Sequence, residues 1–397
     1  MKFLRKQLDS VKHNFEKGGK WEKYFFAYEA FETFLFSPNT TTDTRGAQIR
    51  DAIDLKRLMM TVIIAMTPCL IFGMWNVGHQ HFLALGQTGS FMDAFVIGLI
   101  KTVPIIIVSY GVGLGIEFVF ATIRRHPVNE GFLVTGMLIP LVMPPDVPLW
   151  QVAVATAFAV VIGKEAFGGT GMNVVNIALT ARAFLYFAYP SQISGEVWTF
   201  LGEGVKPVAG YSGATPLAVA AASTGNAAAD LGSFGAGWAD GIYSVWNMFL
   251  GVIPGCIGET STLMCLIGAF ILVFTGVGSW KIIVSVFAGA WGMGLLLNVL
   301  GSTPFTQLPA HYHLVMGGLA FGAVFMATDP VTAAQTETGK WIYGLLIGMF
   351  TVLIRVFNPA YPEGIMLAVL LMNVFAPLID YFVVNANKKR RLTRATV

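Results

Sequence analysis

The feature that most constrains this chain is a succession of long apolar segments, with charged residues gathered at the ends and in loops. Hydrophobic residues make up 55% of the chain and charged residues 12%, against about 25% charged residues in soluble domains. Crossing about 30 Å of hydrocarbon takes roughly 20 apolar residues in a helix. Ten segments approach this length: 58–77, 94–121, 131–145, 149–165, 172–189, 258–279, 281–301, 312–328, 340–357 and 363–384. Because lipid offers free backbone groups no partners, they predict an all-α polytopic membrane protein with about ten transmembrane helices.

The segments form two sets of five on either side of a long polar loop. Several are short or contain Gly or Pro, and short interrupted segments in both halves are typical of inverted repeats with broken helices. The predicted divisions are an N-terminal arm (1–57), a first five-helix repeat (58–189), a loop (190–257), a second five-helix repeat (258–384) and a basic tail (385–397). We therefore expect a binding site where broken helices meet near the middle of the membrane.

The distribution of Lys and Arg predicts the orientation. The N-terminal arm, Arg124-Arg125 and Lys388–Arg391 are basic. The loop at 190–243 instead holds four acidic residues and one lysine, which are Glu196, Glu203, Asp230, Asp240 and Lys206. By the positive-inside rule, both termini face the cytoplasm and the loop faces the periplasm of a bacterial inner membrane.

Aromatic residues recur at helical spacing within the arm, between Phe25 and Phe36. One interpretation is a helix that lies in the membrane interface. The other is a docking surface for a partner subunit. The sequence leaves both open.

The polar loop contains the tetrapeptide Ser212-Gly213-Ala214-Thr215. This is the pattern that a flavin transferase recognises when it joins FMN to a threonine hydroxyl through a phosphoester. An ordinary Gly/Ser turn is the alternative interpretation. The rest of the chain favours the flavin site.

Several further segments resemble one family over nearly the whole chain. They are Gly18–Lys20, Asp54–Arg57, Val128–Phe132, Lys164–Gly171, Tyr211–Thr215, Met326–Pro330 and Asn358–Gly364. Together they resemble the B subunits of sodium-pumping NADH:quinone oxidoreductases. The D subunit of Rnf complexes shares the flavinylation motif and is an alternative. A secondary transporter without a redox role is a third hypothesis, because broken helices suit it equally well.

The resemblance implies two flavins. Thr215 would carry covalent FMN, although Ala218 stands where relatives often have Ser or Thr. Riboflavin would bind without a covalent bond near a glycine-rich turn, at Gly169, Thr170, Asn173 and Asn176. The amides suit the polar edges of an isoalloxazine, whereas helix packing through small residues is the simpler interpretation.

The resemblance also implies quinone and sodium sites. Gly113 and Glu117 would line the ubiquinone site. The sodium pathway would comprise Glu117, Val134, Met137, Leu141, Phe321, Phe325, Asp329 and Asp380. Charged residues inside a membrane are functional candidates by default, although Lys164 beside Glu165 is interpreted as a local charge pair. The three cysteines have no CxxC spacing, so no metal site is expected.

The implied function is transfer of electrons from covalent FMN through riboflavin to ubiquinone, coupled to outward movement of Na⁺. No strand–GxGxxG–helix motif for NADH is present in the chain. Partner subunits are therefore expected, including a second flavinylated subunit and an NADH-oxidising flavin and iron–sulfur subunit. No nucleic-acid partner is expected.

Overall fold

The computed structural model describes residues 2–16, 18–36, 55–128, 131–202, 205–236, 238–239, 241–301, 303–358 and 362–395. Several residues from the sequence analysis lie outside these ranges, namely Asp54, Asn129, Glu130, Glu203, Asp240 and Pro359–Tyr361. The all-α prediction is confirmed, since the described ranges contain helices and no strand.

The α-helices are, in chain order, α1 (Lys2–Lys12), α2 (Phe25–Leu35), α3 (Leu55–Ala84), α4 (Phe91–Arg124), α5 (Phe132–Leu141), α6 (Leu149–Gly163), α7 (Ile177–Ala188), α8 (Pro216–Ala222), α9 (Ala227–Ser233), α10 (Val245–Leu250), α11 (Thr262–Phe274), α12 (Trp280–Leu300), α13 (Tyr312–Val315), α14 (Leu319–Phe321), α15 (Glu337–Phe357) and α16 (Ile365–Ala395). A π-helical turn, Gly322–Met326, extends α14.

Six helices in the described part of the chain are long and apolar enough to cross a membrane. They are α3, α4, α6 with the turn that follows it, α12, α15 and α16. The shorter apolar helices α5, α7 and α11, together with α13 and α14, fall in the other four predicted segments. The structure therefore confirms a multi-pass helical protein, while ten spans in an inverted repeat stay a prediction.

The two halves have similar neighbours. In the first half α6 packs against α4 and α7, and in the second half α15 packs against α12 and α16. Helix α3 joins the halves by packing on α11. Glycines allow close approach at these crossings: a Cβ on Gly98 would overlap the backbone of Met74, and one on Gly289 the backbone of Leu345.

Two buried arginines donate hydrogen bonds to backbone carbonyls at the ends of interrupted helices. Beyond the end of α5, the carbonyl of Val142 accepts a hydrogen bond from Arg182 of α7. At the end of α13 and just beyond it, Arg355 of α15 donates to the carbonyls of His313 at 2.6 Å and Met316 at 2.8 Å. Non-helical backbone at membrane depth needs such internal partners, so these arginines explain why the breaks are tolerated.

The N-terminal arm folds back onto the chain. Tyr28 of α2 donates to the carbonyl of Leu8 in α1 at 3.0 Å. Phe31 of α2 stacks on Phe118 of α4 with ring centroids 5.8 Å apart. Part of the aromatic stretch therefore packs on the chain's own α4, and the exposed remainder is compatible with either interpretation made from the sequence.

Candidate functional site

Thr215 is the N-cap residue of α8, and its side chain is half-buried. Its Oγ1 accepts a hydrogen bond from the backbone N–H of Ala218 at 3.3 Å. Capping by Thr at this position is typical of a helix start, and Pro216 follows at the first helical position, where a missing N–H costs nothing. Because the bond uses the backbone of residue 218, the replacement of Ser or Thr by Ala there leaves it intact.

The rest of the tetrapeptide is held by hydrogen bonds. Ser212 donates to the Glu196 carboxylate at 2.6 Å, and Ala214 N–H donates to Ser212 Oγ at 3.3 Å. Tyr243 donates to the carbonyl of Ala214. Burial raises the pKa of Tyr243 well above its usual value, so the phenol keeps its proton and stays a donor. The backbone that presents Thr215 is therefore fixed from both sides.

Thr215 opens onto a cavity of about 420 Å³, which we call the Thr215 cavity. Its volume falls within the roughly 300–1,000 Å³ of ordinary small-molecule pockets. The lining that matters below consists of Thr215, Trp198, Cys256, Glu259, Gly318 and Glu363. The cavity therefore has room for a flavin ring system, and the attachment hydroxyl lies on its wall.

A buried ionic cluster forms one end of the Thr215 cavity. Arg182 is 1% exposed and donates to Glu363 and to Cys256 Sγ, the latter at 2.8 Å. Its Nη1 also lies 3.6 Å from Glu259 Oε2. Ligand atoms of Cys256, Glu259 and Glu363 are within 4.8 Å of one another. The guanidinium already supplies the positive charge among them, so a metal ion is not expected here.

A second cavity, of about 100 Å³, brings together residues predicted for two different sites. We call it the Asp329 cavity. Its lining includes three predicted riboflavin residues, three predicted sodium-pathway residues and a lysine, which are Thr170, Asn173, Asn176, Val134, Phe325, Asp329 and Lys164. Gly169 does not line it, although its φ of +100° belongs to the turn that carries Thr170. The structure thus merges parts of two predicted sites.

Most polar side chains of the Asp329 cavity have hydrogen-bond partners within the described chain. Asn176 caps α7 by accepting from Leu179 N–H at 3.1 Å, and its amide donates to Asp329 Oδ2 at 3.5 Å. The amide of Asn173 donates to Val175 O at 3.1 Å. The hydroxyl of Thr170 is buried and has no partner among the described residues.

The volume of this cavity can be compared with the sizes of its two predicted ligands. At about 100 Å³ it is smaller than the roughly 300–1,000 Å³ typical of small-molecule sites. A whole riboflavin therefore does not fit the Asp329 cavity in this conformation. A monovalent cation does fit, and carboxylate, amide and hydroxyl oxygens are its usual ligands.

Lys164 does not pair with its neighbour Glu165, so the interpretation of a local charge pair is wrong. Lys164 instead forms a buried ion pair with Glu117 of α4, the two side chains being 2% and 4% exposed. Glu165 pairs with Arg124 at 3.1 Å. Consecutive residues on a helical turn point in different directions. Being neighbours in the sequence therefore does not bring Lys164 and Glu165 into contact.

Gly113 lies one helical turn before Glu117 on α4. A Cβ on Gly113 would overlap the ring of Phe132, and Lys164 Nζ lies 5.8 Å from the centroid of that ring. The two predicted quinone-site residues therefore share a helix face, and Phe132 covers it at Gly113.

The remaining predicted sodium residues fall into two groups. Phe321 and Phe325 are buried, with ring centroids 5.0 Å apart. On α5, Leu141 is fully buried, and its carbonyl accepts from Gly258 N–H at 2.8 Å, whereas Met137, one turn earlier, is only partly buried. These residues lie on the elements between the two cavities.

Asp380 of α16 lies apart from both cavity linings. Its carboxylate accepts hydrogen bonds from Gln335 N–H at 2.7 Å and Thr336 N–H at 3.0 Å. The Thr336 hydroxyl donates to it at 2.5 Å. Asp380 therefore anchors the start of α15, a partnership that the sequence did not reveal.

A fixed threonine on the wall of a cavity, together with interrupted helices around a buried carboxylate, defines the class: a multi-pass helical membrane protein with a structured loop and internal polar cavities. The chain belongs to the NQR2, RnfD, RnfE family, whose model matches residues 43–389.

Its relatives include proteins named as the B subunit of Na(+)-translocating NADH-quinone reductase. The protein from Ectopseudomonas mendocina (strain ymp) is 48% identical and that from Pseudomonas paraeruginosa (strain DSM 24068 / PA7) is 49% identical, each alignment covering 98% of this chain and 99% of the relative. The protein from Chromohalobacter salexigens is 47% identical, over 98% of this chain and 96% of the relative. These names confirm the resemblance found in the sequence.

Proposed function

We propose that this chain is the membrane redox subunit of a sodium-translocating NADH:quinone oxidoreductase. It passes electrons toward ubiquinone and couples their transfer to outward Na⁺ movement. The names of relatives that cover 98% of the chain support this proposal over an Rnf-type subunit. They also support partner subunits for NADH oxidation, since those relatives are themselves named as one subunit of a reductase.

The observation that carries the proposal is the position of Thr215 on the wall of a cavity of about 420 Å³. The tetrapeptide is fixed by Glu196 and Tyr243, so the hydroxyl is presented in one orientation at the edge of the cavity. FMN esterified there would supply one-electron transfer. The chain's own contribution is to hold the attachment point, enclose the ring and exclude water.

A substitution at Thr215 tests the attachment. Full-length chain is coexpressed with a flavin transferase, and covalent flavin is read as ultraviolet-excited fluorescence on a denaturing gel. Thr215→Leu should lose the band, whereas Thr224→Leu, at an exposed threonine of the same loop, should keep it. A band that persists in Thr215→Leu places the flavin on another residue.

We further propose that the Asp329 cavity is a sodium site on the transport route. The carboxylate of Asp329 and the amide of Asn176 meet there, and Phe325 lies on the wall. A non-covalent riboflavin at Gly169–Asn176 stays a prediction, and we derive no step through it. Extraction of flavins from Asn176→Leu protein tests it, because an unchanged ratio of riboflavin to covalent FMN removes Asn176 from that site.

The proposed sidedness follows from charge. The basic arm and the basic end of α16 face the cytoplasm, while the Thr215 loop faces the periplasm of a bacterial inner membrane. The Thr215 cavity then lies at the outer side. The ion pair of Lys164 and Glu117, near the basic end of α4, lies toward the inner side, as does the predicted quinone site.

A further inference from the structure

Glu259 is a buried carboxylate that the described chain leaves without a hydrogen-bond donor. It is 3% exposed, and neither carboxylate oxygen has a hydrogen-bond partner among the described residues. The cation nearest to it there is Arg182, whose Nη1 is 3.6 Å away. Buried polar groups in native proteins are nearly always satisfied, and Glu259 lines the Thr215 cavity. The missing donor is therefore expected on whatever occupies that cavity.

The surrounding backbone leaves space for this carboxylate. A Cβ on Gly318 would stand 2.8 Å from Glu259 Oε2 and 3.0 Å from its carboxyl carbon. Any larger residue at 318 would push the carboxylate away from its present position. Gly318, at the break between α13 and α14, therefore leaves the space that the Glu259 carboxylate occupies beside the cavity.

The charged groups at this end of the cavity favour a ligand that presents an N–H beside carbonyl oxygens. A carboxylate accepts from an N–H, and the guanidinium beside it favours carbonyl oxygens. An isoalloxazine presents this pattern, because its pyrimidine edge carries one N–H between two carbonyls. An oxidised quinone ring offers only carbonyls and would leave the carboxylate unsatisfied. Trp198, partly buried on the cavity wall, supplies a flat apolar surface for a ring.

We propose that the isoalloxazine of the flavin on Thr215 lies in the Thr215 cavity, with its pyrimidine N–H donating to Glu259. This inference rests on the proposed attachment at Thr215. It makes Glu259 a positioning residue that also sets the reduction potential of the flavin. A carboxylate that accepts from the pyrimidine N–H places negative charge beside the ring, and negative charge disfavours the addition of an electron.

The test uses full-length chain coexpressed with a flavin transferase, so that the covalent flavin can be titrated spectroscopically. Glu259→Gln keeps the shape and removes the charge. The gel band should persist, while the midpoint potential becomes more positive by about 59 mV for a tenfold change in a one-electron equilibrium. The matched control is Asp230→Asn, since Asp230 lines a separate cavity on the other side of the tetrapeptide and should leave the potential unchanged.

The outcomes separate the two proposals. A band that persists in Thr215→Leu defeats the attachment, and this inference with it. A normal band in Glu259→Gln with the parental potential overturns the placement of the ring alone, as does an equal shift in Asp230→Asn. Should Glu259→Gln not be recovered folded, Glu259→Asp retracts the oxygens by one methylene, and an unaltered absorption spectrum and potential would equally overturn the placement. Loss of quinone reduction with an unshifted flavin potential would assign the cavity to a quinol instead.

Discussion

The ion pair between Glu117 and Lys164 gives the sharpest energetic prediction. The two side chains are 4% and 2% exposed, so little water screens them. Removing one partner of a buried pair costs about 3–5 kcal/mol, because the other charge is left buried and unpaired. We therefore expect Glu117→Gln and Lys164→Met each to lower the free energy of unfolding by about this amount.

The double variant separates pairing from other losses. With both charges gone, neither is left alone in the interior, and replacement of a whole buried pair is often close to neutral. The double variant should therefore lose much less than the sum of the single variants. If the double variant is close to neutral, the coupling energy approaches the sum of the two single losses and exceeds the roughly 0.5–3 kcal/mol usual for residues in contact.

The assay is equilibrium unfolding of the full chain in mixed micelles with a rising fraction of SDS, followed by circular dichroism. The control is Asp146→Asn, which breaks the pair with Lys101 at 3.5 Å. Those side chains are 55% and 30% exposed, so the expected change is only about 0–1 kcal/mol. Additive losses, or single variants within about 1 kcal/mol of the parent, would refute the buried pair. Any effect of Glu117→Gln on turnover has to be normalised to folded protein.

Three further predictions follow from the two cavities and the loop. Asp329→Asn removes the only carboxylate that lines the Asp329 cavity within the described chain, so the Na⁺ concentration for half-maximal quinone reduction should rise; an unchanged Na⁺ response takes Asp329 off the route. In a background with the three native cysteines replaced, Thr224→Cys should react with a membrane-impermeant maleimide in intact cells, whereas Ser10→Cys should react only after lysis. The reverse labelling pattern would show that the proposed topology is inverted. Tyr243→Phe removes the donor to the Ala214 carbonyl at a cost of about 1–3 kcal/mol, so covalent flavin per chain, read on the gel, should fall, whereas a normal yield would make this bond dispensable.

The helical class could be predicted because hydropathy is a local property. Each apolar segment indicates the length of its own helix. Proline does not by itself mark the interruptions, because α3, α4 and α16 each continue through a proline. The side chains that stabilise the interruptions come from residues distant in the sequence. Arg182 reaches the end of α5, and Arg355 reaches the gap before α14. Both arginines lie in segments that the sequence predicts as membrane spans, but nothing in the sequence indicates their partners.

The same limit applies to the sites. The tetrapeptide around Thr215 is contiguous, so it could be found by reading along the chain. Asn176 and Asp329 could each be suggested, but their contact joins residues 153 positions apart. Glu259 gave no signal of its own, because one glutamate at the edge of an apolar segment resembles an ordinary helix end. Only the packed structure shows that its two oxygens lack donors.

The arrangement of the two cavities constrains any coupling between them. Asn176 at one cavity and Arg182 at the other are separated by about 9 Å along α7, at 1.5 Å per residue. Phe321 is fully buried and packs on Phe325 of the Asp329 cavity, while Leu141, also fully buried, accepts at its carbonyl from Gly258 N–H, next to Glu259 of the Thr215 cavity. Both side chains are apolar and offer a cation no ligand, so transfer of an unpaired charge from Asp329 onto them would be costly. The π-helical turn that follows Phe321 departs from α-helical bonding, and such turns are frequent at functional sites. Because this turn carries Phe325 of the Asp329 cavity and α14 begins next to Gly318 of the Thr215 cavity, this continuous segment is the part of the chain that touches both cavities most directly.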